Sequence, residues 1–162
     1  MKPKKNLGLL AVGLVLAAAT TVALAGPPQA VTIKRQVIFG QPDAMFDFTV
    51  VDGPICPTSR SGFTKGVSQV IGGGGPTLLV NAVLEFTCYD NTGTFFVRLH
   101  PQFNGRPRDF NLAGPWSIWG KGTGDYANMS GYGEFGVVTY DIPSTDPVQR
   151  GGDETYVGFV NL

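Results

Sequence analysis

The sequence predicts an all-β domain: about eight short antiparallel strands closed into a single barrel, with a β-sandwich as the alternative. Three observations predict it. Short runs of alternating apolar and polar residues recur along the chain at close spacing. Two of them flank the turn Tyr89-Asp90-Asn91-Thr92-Gly93, a strong antiparallel hairpin signal. Glycines and aromatic residues are frequent, and no amphipathic helical run exceeds a turn or two.

The chain opens with MKPKK, continues with an apolar run, and closes that segment with Ala23-Leu24-Ala25. These are the three parts of a secretory signal peptide, with cleavage expected after Ala25. The most apolar part, Leu7 to Ala19, is shorter than the roughly 20 residues that span a bilayer, so no stable membrane anchor is expected. The mature chain is then a single domain over residues 26–162, secreted or periplasmic. Lys2, Lys4 and Lys5 leave with the peptide, which leaves 9 of the 12 basic residues against 12 acidic ones, a net of −3. That balance offers no footprint for nucleic acid or an anionic membrane.

After a short leader (26–31), residues 32–39 form the first expected strand. In 45–51, Phe46, Phe48 and Val50 alternate with Asp47 and Thr49. The polar stretch DGPICPTSRSGFTKG and the run GGGGP read as loops. In 78–88, Val80, Ala82, Leu84, Phe86 and Cys88 share one face. In 94–100, Phe95, Val97 and Leu99 share one face, and Phe96, Arg98 and His100 the other. Residues 101–115 read as an irregular connection and 143–153 as a polar loop. Further strands are expected at 116–121, 131–140 and 154–161.

Cys56 and Cys88 are the two cysteines, and in an exported chain they are expected to form one disulfide. Closing a loop of about 32 residues contributes on the order of 3–4 kcal/mol.

The stretch GKGTGDYANMSGYGEF, Gly120 to Phe135, is the most specific in the chain. No helix pattern follows it, so it is not a phosphate loop. It reads instead as β punctuation: Gly122 to Gly124 supply positive φ, Asp125 to Ser130 form a short strand or bulged turn, and the later glycines let a strand bend or pack under an aromatic ring. The pattern carried by Trp116, Gly122, Thr123, Gly124, Tyr126, Met129, Gly131 and Gly133 resembles the signature of the dirigent and allene oxide cyclase-like barrels, and is closer still to small secreted bacterial proteins of that type. The resemblance implies an eight-stranded barrel with a central cavity, and a homo-oligomer, often a trimer, packed through the outer wall. It transfers no catalytic residue to this chain.

Glu85, Arg98, His100 and Glu134 are candidate cavity or ligand contacts if their faces turn inward; turned outward, they are a solvated surface. The scattered acids Asp141, Asp146, Asp153 and Glu154 lack the spacing of a calcium loop, and no metal or cofactor is assigned. The expected function is non-catalytic: a small apolar or amphipathic ligand held in the cavity, or an extracellular structural or interaction module. The alternatives are an enzyme steering a reactive intermediate, and a carbohydrate-binding surface built from Trp116, Trp119, Tyr126, Tyr132 and Tyr140.

Overall fold

The structure, a computed structural model, describes residues 26–41, 44–72, 77–104, 112–143 and 149–162. The expected signal peptide lies outside the described residues. The strands are β1 (Gln29–Ile38), β2 (Phe46–Asp52), β3 (Ser61–Gly72), β4 (Thr77–Cys88), β5 (Thr94–Leu99), β6 (Gln102–Asn104), β7 (Leu112–Ile118), β8 (Ser130–Ile142) and β9 (Gln149–Asn161). All pairings are antiparallel, and β9 pairs with β1 while β3 pairs with β4, so the sheet closes into a barrel. Short β6 lies between β4 and β7, the neighbours of β5. Its register continues that of β5, from Ala82↔Leu99 to Leu79↔Gln102. The two therefore form one stave, interrupted at His100-Pro101, and the barrel has eight.

The predicted hairpin is present in its expected register, with Phe86 opposite Phe95 and their rings stacked at 5.0 Å. Asn91 and Gly93 take positive φ (60° and 143°) in its turn. Strand β1 already starts at Gln29, inside the expected leader, and three segments read as loop or connection also contain strand. The polar stretch after Pro57 contains the start of β3, whose inward row holds Gly62 and Thr64 and so shows no apolar alternation. The expected connection over 101–115 contains β6 and the first half of β7, with 105–111 outside the described residues. The expected loop over 143–153 already contains the start of β9, with 144–148 outside the described residues. There Gly151 lies under the Tyr140 ring and Gly152 under Phe39. Of GGGGP, Gly72 ends β3 and residues 73–76 lie outside the described residues.

The two barrel ends are built differently. At one end the Pro54-Ile55-Cys56-Pro57 loop folds inward, with Ile55 and Cys56 fully buried, and Cys56 is bonded to Cys88 at the end of β4. Asp125 to Met129 form neither strand nor bulge, and Ser130 already begins β8; a 3₁₀ turn at Gly124–Tyr126 drives the Tyr126 ring into the same end. The Tyr126 hydroxyl accepts from Cys56 N at 2.8 Å and bonds Thr92 Oγ1 at 2.9 Å. Gly124 supplies the positive φ (58°) this turn needs. Gly122 has a different role: a Cβ there would collide with the Thr94 and Tyr126 carbonyls. Above this plug, Phe48, Phe86, Phe95, Phe135 and Tyr156 interlock with ring centroids 5.0–5.6 Å apart. The gap left in this half is only about 10 Å³.

Gly133 on β8 and Gly158 on β9 make room for Trp116. Gly133 faces Gly158 across β8 and β9, and the buried indole lies in the pit between them. Its Nε1–H donates to the Glu134 and Val157 carbonyls at 3.1 and 3.2 Å. A Cβ on Gly133 would approach Trp116 Nε1 to 2.7 Å and also strike the Val157 carbonyl. Gly133→Ala is therefore expected to cost about 2 kcal/mol or more in urea unfolding. Gly136→Ala, where a Cβ meets nothing within 4 Å, should stay within about 0.5 kcal/mol of wild type.

Asp90 ties the plug to the hairpin. Its Oδ2 accepts from Thr58 N and Ser59 N, each at 3.1 Å, and its Oδ1 from Thr92 N at 3.2 Å and Thr92 Oγ1 at 2.6 Å. Burial alone would raise this carboxyl; the hydrogen bonds outweigh it and hold the group down at about 2. Because the folded value lies below the unfolded one, near 3.9, the stabilisation is complete above about pH 4 and is lost as pH falls through about 2. An acid titration of stability should show that loss in wild type, and Asp90→Asn should lack it while starting from lower stability at neutral pH. Matching acid limbs would contradict the assignment.

Candidate functional site

The other half of the barrel is hollow. A cavity of about 580 Å³ opens at the end opposite the plug, within the size range of small-molecule sites. Val37 on β1, Val80, Ala82 and Leu84 on β4, Leu99 on β5 and Leu112 on β7 form much of its wall. The β4 and β5 residues belong to the inward row of the predicted hairpin. Gln41, Ser68, Gln69 and Arg150 place polar groups on the lining.

A charged cluster forms the floor. Arg35 on β1 and Glu154 on β9 are register partners, and their side chains are only 8% and 6% exposed. Arg35 Nε donates to Glu154 Oε2, and Arg35 Nη1 donates to Thr64 Oγ1 at 2.7 Å. Thr64 Oγ1 in turn donates to the Phe46 carbonyl at 3.0 Å. From below, the Tyr156 hydroxyl donates to Glu154 Oε2 at 2.8 Å. Arg35, Thr64 and Glu154 line the cavity, whereas Tyr156 belongs to the filled half. Burial disfavours the charged guanidinium, but the charge of Glu154 and its hydrogen bond outweigh it, and the Arg35 pKa moves up. For Tyr156, burial is the largest cause and Glu154 adds to it against the opposing pull of Arg35; its pKa lies well above the ordinary phenol value. The phenol therefore stays a neutral donor, and the cluster carries one positive and one negative charge.

The cavity contacts proposed from sequence are elsewhere. Glu85, Arg98, His100 and Glu134 fall on the outward rows, opposite in parity to the buried Leu84, Phe86, Val97, Leu99 and Phe135. His100 and Glu134 are exposed, and Arg98 Nε donates to Asn81 Oδ1 at 3.2 Å on the outer wall. None of the four lines the cavity. Of the five aromatics suggested as a sugar platform, Trp116 and Tyr126 are interior, so they do not form one surface with Trp119, Tyr132 and Tyr140. The signature residues Trp116, Gly122, Thr123, Gly124, Tyr126, Met129, Gly131 and Gly133 also lie outside the cavity lining. Thr123, for example, docks the 3₁₀ turn on β5, donating N–H to Thr94 O at 2.8 Å and accepting from Thr94 N at 3.0 Å.

Sequence reasoning missed Arg35 and Glu154, although a signal was present. Arg35 has the parity of Ile33 and Val37, and Glu154 that of Tyr156 and Val160, so each is a charge placed in an apolar row. Comparison with protein-family models, curated proteins and solved structures finds no match for the chain.

Removing one member of the pair leaves the other buried and unanswered. Glu154→Leu is expected to lose about 3–5 kcal/mol in chemical denaturation. The double variant Arg35→Met/Glu154→Leu should recover most of that loss, because no buried charge remains. Additive losses would show that the two side chains are not coupled.

Proposed function

We propose that this is a secreted binding protein that holds one small amphipathic molecule in the open half of its barrel and performs no chemistry on it. The observation that carries this reading is the division of the interior: a cavity of about 580 Å³ with apolar walls, ending on a polar floor. Apolar walls with a few convergent polar groups are the general form of a small-molecule site. The amino-terminal signal pattern supports export, and the Cys56–Cys88 disulfide fits an oxidising compartment. The resemblance of the glycine signature to dirigent and allene oxide cyclase-like barrels agrees with a cavity protein.

A second reading, an enzyme that steers a reactive intermediate, draws on the presence of an arginine and a glutamate on the cavity lining. Their mutual bond favours the binding reading, since the charges are already committed to each other.

Native mass spectrometry of the mature chain, purified from the medium of its own host, tests the proposal. The expected result is a reproducible small-molecule adduct that is released on denaturation. A clean apo mass would count against a cavity ligand, and conversion of the released compound by fresh protein would favour the enzyme.

A further inference from the structure

The charge state of the cavity floor selects the chemical class of ligand. Resting on the cavity-binding reading above, we propose that the site takes a neutral amphipathic molecule whose polar end is a hydroxyl or carbonyl, and discriminates against the matching carboxylate and ammonium.

The floor is balanced before any ligand arrives: Arg35 and Glu154 answer each other at 8% and 6% exposure. A carboxylate lowered onto them could accept a remaining guanidinium N–H, but it would share that one cation with Glu154 and put two anions against it in a poorly solvated site. An ammonium meets the mirror problem, with two cations sharing Glu154 as their one anion. A neutral hydroxyl or carbonyl brings no charge and needs only hydrogen-bond partners. Among the described residues, both hydrogen bonds to Glu154 end on Oε2, so Oε1 is the acceptor left for a ligand hydroxyl. A ligand carbonyl would instead accept from the guanidinium.

Arg150 does not alter this balance at depth. It precedes Glu154 by four residues on β9, which places it about 13 Å along the strand, and its Nε lies 3.4 Å from Asp141 Oδ1. An anion could meet it only toward the mouth, with its apolar tail and not its head against the floor.

A head-group series on one tail tests the proposal: 1-decanol, decanoate and decylammonium, titrated into the mature protein at neutral pH by displacement of a fluorescent apolar probe. Decanol is expected to bind roughly 10- to 100-fold more tightly than either ion. Glu154→Gln removes the negative member and should shift the decanol-to-decanoate ratio toward decanoate by about tenfold or more. Should that variant fail to fold, Arg35→Gln/Glu154→Gln removes both charges and should retain the preference for decanol. Equal affinity for decanol and decanoate in wild type, or a ratio unmoved by Glu154→Gln, overturns the charge-balance inference and leaves the cavity reading standing. Binding of none of the three by wild type would overturn both.

Discussion

A charge inside an apolar barrel is tolerated only where an opposite charge and enough hydrogen bonds answer it. Arg35 and Glu154 meet that condition, and the interior is organised around them. They face each other across β1 and β9, with Thr64 reaching them from β3 and Tyr156 from below on β9. The network therefore joins three staves at the level where the packing changes. Beneath it the aromatic rings leave almost no space; above it the barrel is open. The same bonds that stabilise the pair consume its charge, which is why a site containing an arginine and a glutamate can favour an uncharged guest.

The closed half supplies the rigidity that this arrangement needs. The Cys56–Cys88 disulfide holds the Pro-Ile-Cys-Pro loop inside the plugged end of the barrel, and Tyr126 bonds both that loop and the hairpin turn. Cys56 itself takes φ of 45°, a left-handed conformation that side-chain-bearing residues seldom adopt; its covalent bond and the tyrosine hydroxyl secure it there. Trp116 contributes in a different way. It fills the pit between Gly133 and Gly158 and ties two carbonyls of adjacent staves through one indole N–H. Glycine at those positions is a steric requirement of the tryptophan.

The fold was more legible in the sequence than the site was. Strands whose inward row is apolar, such as β2, β4 and β5, announce themselves by period-two alternation. The disulfide is legible in the count of two cysteines and in the apolar amino-terminal pattern that leads one to expect an oxidising compartment. Strand β3 was hidden because its inward row holds Gly62 and Thr64, and the start of β9 because Gly151 and Gly152 borrow the Tyr140 and Phe39 rings in place of side chains of their own. The candidate contacts Glu85, Arg98, His100 and Glu134 have the chemistry of ligand-binding side chains, but period two puts them on the outer wall. Arg35 and Glu154 carry the same chemistry in the inward row. Parity relative to the apolar residues, and not residue type alone, was the informative variable; pairing the two strands required the closed topology.

One half of the barrel is filled and the other hollow, with the charged pair at the boundary. Methyl-resolved NMR of residues 26–162 under dissolved xenon tests this division, because xenon enters apolar space without needing a specific head group. Shifts are expected at the methyls of Val37, Val80, Leu84, Leu99 and Leu112, with Val31, Ile33, Ile55, Val97 and Val160 unmoved. Shifts spread evenly over both sets, or confined to the second, would contradict it.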